Sequence, residues 1–397
     1  MFLYMVAELS AVNSVINLLT GLDGLPALIV EVVVTTIYTS LGGFRVSFVT
    51  DNIQGALVLC LIIICTISIG TKSHIDTSLI EPSGLTHATT LGWKLLYILP
   101  VAIATNFMFL SPFWMRAFAS RTDKDLYIGS AIAGAWIFVI LTVTGFTGII
   151  AVWAGGVEKW GPVSDWSYVA FFYLIAELPA WVVGLVLLMV VALSTAIFDS
   201  LQSALISTAS NDLFRNKLPL IYIRAGVAIL TIPVIVVAIK ADASVLQIFL
   251  ISDIVSAAAI PSLLLGLVDS LYFLSGVDVI VAGCGGILSV FIFGTIYYGN
   301  AKAGGELIAM KTLYVDDWGV FGAYVAAPIG GLLFLFGSCA IRLAVLWGVS
   351  RVNGTRFEGL DRPAPKVNAE EEEEQVDAVE AVRIDEGSQV GKDTRGD

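Results

Sequence analysis

The sequence predicts an all-α polytopic membrane protein with about ten transmembrane helices. Hydrophobic side chains make up 57% of the 397 residues and charged side chains only 14%, with a mean hydropathy of +0.88. Soluble domains carry about 25% charged residues, so this composition excludes a water-soluble globule. The apolar residues also fall into long uninterrupted runs, which is typical of membrane-spanning segments.

Ten of these runs are long enough to cross a membrane. A bilayer core about 30 Å thick needs roughly 20 apolar residues per helix, and each backbone polar group inside lipid must be paired within its own segment. Each run is therefore predicted to be a helix rather than a loop or an open strand. In chain order the predicted spans lie near residues 2–20, 25–43, 52–70, 95–112, 128–154, 180–208, 221–239, 243–266, 277–298 and 319–348. The shorter apolar stretch 167–179 is predicted as an interfacial helix.

The composition changes near residue 358, which divides the chain into a transmembrane domain, 1–357, and a tail, 358–397. The tail carries 13 acidic and 5 basic residues, a net charge of −8 within the chain total of −12. Such a segment has too few apolar residues to join a core, so we predict a disordered, cytoplasmic acidic tail. No stretch of the chain forms a basic face, which excludes nucleic acid as a partner.

The most informative polar residues lie in the predicted span 180–208. Ser194 and Thr195 are adjacent hydroxyls, and Asp199 follows Thr195 by four residues on the same helix face. A hard cation such as Na⁺ prefers several oxygen ligands, which hydroxyls and freed backbone carbonyls supply. The alternative is that the hydroxyls bond to the carbonyl four residues earlier, while Asp199 faces a cytoplasmic vestibule.

A second polar segment, residues 38–54, precedes and enters the predicted span 52–70. Gly42 and Gly43 give backbone freedom for a turn, and Thr50, Asp51 and Asn52 are good residues to cap the start of a helix. The local interpretation is a capped helix that begins at the membrane surface.

The same segment resembles a signature of the sodium:solute symporter family, in which Tyr-Thr-x-x-Gly-Gly is followed by Thr-Asp-x-x-Gln. Three further stretches are similar to that family and occur in the same order. The matching stretches are Tyr38 to Gln54, Phe113 to Ser120, Ala192 to Ser200 and Asn211 to Phe214. The fungal urea-transporter-type members look most similar.

This resemblance implies two inverted five-helix repeats of the leucine-transporter type, with Na⁺ and solute bound near mid-membrane. It implies that Ser194 and Thr195 are sodium ligands, together with the carbonyl of Val191. It assigns Asp51 to cation coupling and places Asn106 next to the solute. The expected coupling ion is Na⁺ or H⁺, with no organic cofactor, and the expected partners are a small-molecule solute and the lipid bilayer.

The helix order within the resemblance implies that the first two core helices are missing, so the chain looks like an N-terminally shortened member. The expected function is secondary active uptake of a small polar solute, with urea as the first suggestion, at the plasma membrane. The alternative is a truncated, non-transporting paralogue or a solute sensor. An enzyme is not expected, because no His or Cys nucleophile accompanies the intramembrane carboxylates Glu8, Glu31, Asp199 and Asp253. Glu8 and Glu31 could face each other across adjacent helices, or could face a cavity.

Overall fold

The computed structural model of the chain describes residues 1–240, 245–312, 315–357 and 359–362, apart from the side chains of residues 42–46. The described residues form α-helices, short 3₁₀ or π-helical turns and loops, and none of them forms a β-strand. The prediction of disorder over the tail, 358–397, lies outside the described residues apart from 359–362.

Fourteen α-helices make up most of the described chain. They are α1 (Phe2–Thr20), α2 (Leu25–Lys72), α3 (Thr90–Phe109), α4 (Ser111–Phe118), α5 (Asp123–Trp153), α6 (Gly156–Trp160), α7 (Val163–Trp166), α8 (Ala170–Ala176), α9 (Ala180–Thr208), α10 (Leu220–Lys240), α11 (Val245–Gly266), α12 (Gly276–Tyr298), α13 (Ala301–Ile308) and α14 (Asp317–Asn353). The turns are Thr77–Leu79, Ser167–Val169, Asp269–Leu271 and a π-helical turn, Ala209–Leu213.

Within the described ranges, nine helical segments are long and apolar enough to cross a membrane. Eight of them contain α1, α3, α5, α9, α10, α11, α12 and α14, and the ninth is the second part of α2, Ser47–Lys72. The one remaining predicted span, near residues 25–43, corresponds to the first part of α2, Leu25–Leu41. This part is apolar but shorter than the other nine segments. The predicted all-α polytopic class is confirmed, and the inverted repeat and the two missing core helices stay predictions.

The predicted helix start near residue 52 is wrong. Residues 25–72 form one continuous helix, so Asp51 and its neighbours lie inside α2 rather than at its N-terminal cap. A broken helix at membrane depth would leave backbone groups unpaired. Continuing the helix through a glycine costs only about 1 kcal/mol relative to alanine, so the helical hydrogen bonds are kept.

α2 is nevertheless bent. The hydroxyls of Tyr38 and Thr50 lie 2.8 Å and 3.2 Å from the same atom, Oδ2 of Asp199. In a straight helix the Cα atoms of Tyr38 and Thr50 would be about 18 Å apart, farther than two such side chains can bridge. The bend must lie between them, in the interval that contains Gly42 and Gly43, and paired glycines are a recognised cause of helix kinks.

α1 packs against α9, α10 and α11 and makes fewer contacts with α8 and α2. Its apolar side chains form a cluster with Phe198 of α9, Val234 of α10 and Ile248 of α11. The same packing draws the polar residues of α1 inside the bundle, so that Tyr4 is buried and Glu8 is half-buried.

The helices α11, α12 and α14 approach each other through small residues. A Cβ atom at Gly286 would lie 2.7 Å from the Cβ atom of Ala258, and one at Gly331 would lie 2.5 Å from the Ala258 carbonyl oxygen. Neither position has room for a larger residue. Small residues that allow close backbone approach are typical of helix packing in membranes, and here they fix the position of α11.

Candidate functional site

Asp199 of α9 is fully buried and is held by hydroxyl groups. Its carboxylate accepts hydrogen bonds from Tyr38 at 2.8 Å, from Ser47 at 2.8 Å and from Thr50 at 3.2 Å, all on α2. The Ser200 hydroxyl lies 3.2 Å from the carboxylate, while its shorter hydrogen bond, at 2.7 Å, goes to the Ala196 carbonyl oxygen. Asp199 therefore joins the two parts of α2 to α9, and the alternative that it faces a cytoplasmic vestibule is wrong.

Asp51 is linked to Asp199 and its surrounding hydroxyls rather than to the predicted sodium ligands. Its carboxylate forms an ion pair with Arg116 of α4, and the same guanidinium nitrogen donates to Ser200 Oγ at 2.7 Å. Asp51, Arg116 and Ser200 thus form a chain of polar contacts that ends at Asp199. A groove of about 410 Å³ runs from this chain to Tyr4 of α1.

The predicted sodium ligands lie together on α9, and the structure gives Ser194 and Thr195 different surroundings. Thr195 Oγ1 donates to the Val191 carbonyl oxygen at 2.7 Å, which is the back-bonded arrangement that the sequence left open. A hydroxyl that donates its proton keeps lone pairs for a cation, so this bond is compatible with either role. Ser194 is 2% exposed, and its hydroxyl has no hydrogen-bond partner within the described residues.

Ser194 lies beside Glu31 of α2. Glu31 is 6% exposed, and neither of its carboxylate oxygens has a hydrogen-bond partner in the described part of the chain. The carboxylate of Glu8 on α1 is close enough to interact electrostatically with Glu31. The sequence left open whether Glu8 and Glu31 face each other or a cavity, and their electrostatic interaction agrees with the first of these. The arrangement stays a prediction.

Asn106 of α3 contacts a carboxylate that sequence reasoning left unassigned. Its amide nitrogen donates to Asp253 Oδ1 of α11 at 2.5 Å, and Tyr4 of α1 donates to the same oxygen at 2.9 Å. Asp253 is buried, and the Asn106 amide oxygen has no partner among the described residues. In the sequence, Asp253 itself points to this site, because burying a carboxylate in an apolar membrane span costs free energy and such residues are usually functional.

The chain is 53% identical to the spermidine transporter DUR31 of Candida albicans over 367 residues, which cover 91% of this chain and 70% of the relative. The chain belongs to the family of this transporter. No protein-family model matches it. With its nine apolar helices in the described ranges, the chain is an integral membrane protein from a family of transporters rather than enzymes. The narrower resemblance to the sodium:solute symporters stays a prediction.

Proposed function

We propose that the chain is a cation-coupled secondary transporter that carries a small amine-bearing solute across the plasma membrane. The observation that carries this proposal is Glu31, an acidic side chain buried in an apolar helix without a partner in the described residues. A buried carboxylate is costly unless something pairs with it, and ionisable groups inside membranes mark solute or ion pathways.

A cationic solute is favoured over urea. Urea was suggested by the resemblance of the sequence to fungal urea-transporter-type members. The relative from Candida albicans is instead a spermidine transporter. None of the ion pairs among the described residues involves Glu8, Glu31 or Asp253. Three acidic side chains without a basic partner suit a solute that brings positive charge, while urea brings none.

The coupling ion of this proposal is Na⁺, with H⁺ as the alternative. Sodium would take the hydroxyl oxygens of Ser194 and Thr195 together with the Val191 carbonyl, because a hard cation prefers oxygen ligands. Asp51 would act indirectly, since its contacts through Arg116 and Ser200 lead to Asp199, one turn beyond Thr195. Coupling requires that ion and solute both stabilise the same conformation.

Uptake of radiolabelled spermidine and radiolabelled urea tests the proposal. The chain would be expressed in a yeast host that lacks its own uptake of both solutes, with Candida albicans DUR31 in parallel. We expect spermidine uptake above the empty vector, a fall when sodium is replaced by choline, and no urea uptake. If protein at the cell surface carried neither solute, the alternative of a non-transporting paralogue or sensor would be correct.

A further inference from the structure

We infer that a linear polyamine binds along one face of α1, with one ammonium group between Glu8 and Glu31 and the next at Asp253. The inference rests on the proposed amine transport and specifies where the solute is held. The buried acidic groups of the described chain differ sharply in the hydrogen bonds and ion pairs that their carboxylates receive.

Two buried carboxylates are fully compensated by other side chains. Asp199 accepts hydrogen bonds from Tyr38 and Ser47 at 2.8 Å, with the hydroxyls of Thr50 and Ser200 at 3.2 Å, and Asp278 of α12 forms an ion pair with Arg342 of α14 at 2.9 Å. Glu31 forms no ion pair in the described residues, and neither of its oxygens has a hydrogen bond of full geometry there; only the Ser194 hydroxyl beside it interacts with the carboxylate. A buried charge without compensation is strongly unfavourable, so Glu31 is the position at which a cationic ligand would be most favoured.

Two groups around Glu31 are arranged to receive an ammonium. Glu8 adds a second carboxylate from α1, which interacts electrostatically with Glu31. Ser194, which is 2% exposed, lies beside Glu31 with its hydroxyl unpartnered in the described chain. An ammonium has three N–H donors and no acceptor, so two carboxylates and a hydroxyl oxygen match its hydrogen-bonding capacity.

The second position follows from the register of α1. Tyr4 and Glu8 are four residues apart, so they share a face and lie about 6 Å apart along the helix axis. Tyr4 holds Asp253, and the unpartnered amide oxygen of Asn106 adds an acceptor at the same point. Asp253 itself lies beyond the Tyr4 hydroxyl, so a chain that carries several ammonium groups, rather than a single ammonium, is needed to contact both Glu8 and Asp253.

Glu8 lies on α1 itself, and Glu31 and Asp253 lie on α2 and α11, two helices that pack against α1. In the ranges that the structure describes, no group of three or more His, Cys, Asp or Glu side chains could hold a metal ion. A single divalent cation needs several oxygen ligands around one centre. An extended molecule with several charges fits the observed distribution better than a compact metal ion does.

Equilibrium binding of radiolabelled spermidine to the purified full chain tests the site. We expect Glu31→Gln and Glu8→Gln each to raise the Kd for spermidine about ten-fold or more, which corresponds to about 1.4 kcal/mol. The matched control is Glu158→Gln, which removes an exposed carboxylate on α6 and should bind like the wild type. Glu31→Asp keeps the charge and should bind better than Glu31→Gln, which separates the loss of charge from misfolding.

The second position is tested by competition with n-butylamine, which has a single ammonium group. The wild type should prefer spermidine strongly, and Asp253→Asn should reduce that preference while leaving n-butylamine binding nearly unchanged. Unchanged spermidine binding in both Glu8→Gln and Glu31→Gln would overturn the inference. A loss of pH dependence in Glu31→Gln with spermidine binding intact would overturn it too, by making Glu31 a proton site.

The amine solute and its binding site can be refuted separately. Wild-type uptake of spermidine combined with unaltered binding in the variants would refute this site and leave the proposed function standing. Wild-type uptake of urea without spermidine binding would refute the amine solute, and the site with it.

Discussion

Replacing Gly331 by Ala should destabilise the protein, because the new methyl group meets backbone atoms. Its Cβ would lie 2.5 Å from the Ala258 carbonyl oxygen, whereas ordinary contact begins near 3.4 Å, so α14 and α11 would have to separate by about 0.9 Å. Overpacking of this kind costs typically 1–3 kcal/mol. The higher helix propensity of alanine returns about 1 kcal/mol, which leaves a net loss of up to about 2 kcal/mol.

The matched control lies on the same helix. Gly337→Ala places a methyl group where nothing lies within 4 Å, so only the gain in helix propensity remains and stability should be unchanged or slightly higher. Thermal unfolding of both variants in detergent, followed by size-exclusion chromatography with fluorescence detection, should give a lower Tm for Gly331→Ala alone. Equal Tm values for Gly331→Ala and Gly337→Ala would refute the close approach of α14 to Ala258.

Two further substitutions test an ion pair and the sodium ligands. Arg342→Gln removes the basic partner of Asp278, whose carboxylate keeps hydrogen bonds from Ser275 and Ser338, and should destabilise by about 1.5 kcal/mol. Adding Asp278→Asn should recover part of the lost Tm in the same thermal assay. Thr195→Val removes one proposed sodium ligand and should raise the sodium concentration for half-maximal uptake without changing surface expression. Thr142→Val, which removes a hydroxyl with the same back-bonding from the exposed part of α5, should leave that concentration as it is. An equal effect of Thr195→Val and Thr142→Val would make Thr195 an ordinary helix residue.

The sequence could predict the helices because each one depends on local properties. A run of about 20 apolar residues is decided within the segment itself, and each of the ten predicted spans corresponds to helix in the described chain. Asp199 and Asp253 also stand out locally, as carboxylates in apolar runs. These parts of the fold and of the site need no knowledge of tertiary structure.

The partners of those carboxylates could not be predicted in the same way. Tyr38 lies 161 residues before Asp199, and Tyr4 lies 249 residues before Asp253. Such pairs are set by which helices pack together, and α1 reaches Asp253 only because it packs against α11. The family resemblance predicts Asn106 next to the solute, which stays a prediction, and its contact with Asp253 is set by the tertiary structure.

The glycines of α2 show how local propensity can mislead. Gly42 and Gly43 favour a turn when considered alone, and the following Thr50-Asp51-Asn52 resembles a helix cap. Within a membrane helix the cost of unpaired backbone groups exceeds the small cost of glycine. The outcome is a bent but continuous α2, and the bend brings Tyr38 and Thr50 to one carboxylate.

The pair of Glu8 and Glu31 also bears on how an ion and an amine would be coupled. Ser194 belongs to the proposed sodium ligands and lies beside Glu31, so a sodium ion and an ammonium would be held close together. Two unit charges about 6 Å apart repel each other by about 3 kcal/mol at an effective dielectric constant of 20. With a single carboxylate the two cations would compete. With two, sodium binding still leaves one negative charge for the amine, and a shared preference for one conformation can then make the coupling positive.

Replacing Glu8 by Gln should therefore reverse the effect of sodium. In the wild type, sodium should lower the KM for spermidine uptake; in Glu8→Gln it should raise that KM, because one negative charge now serves two cations. Glu158→Gln should respond like the wild type. If sodium lowered the KM by the same factor in Glu8→Gln, the charge of Glu8 would have no part in coupling. Binding measurements give an independent check, because linkage requires sodium to change spermidine affinity by the same factor as spermidine changes sodium affinity.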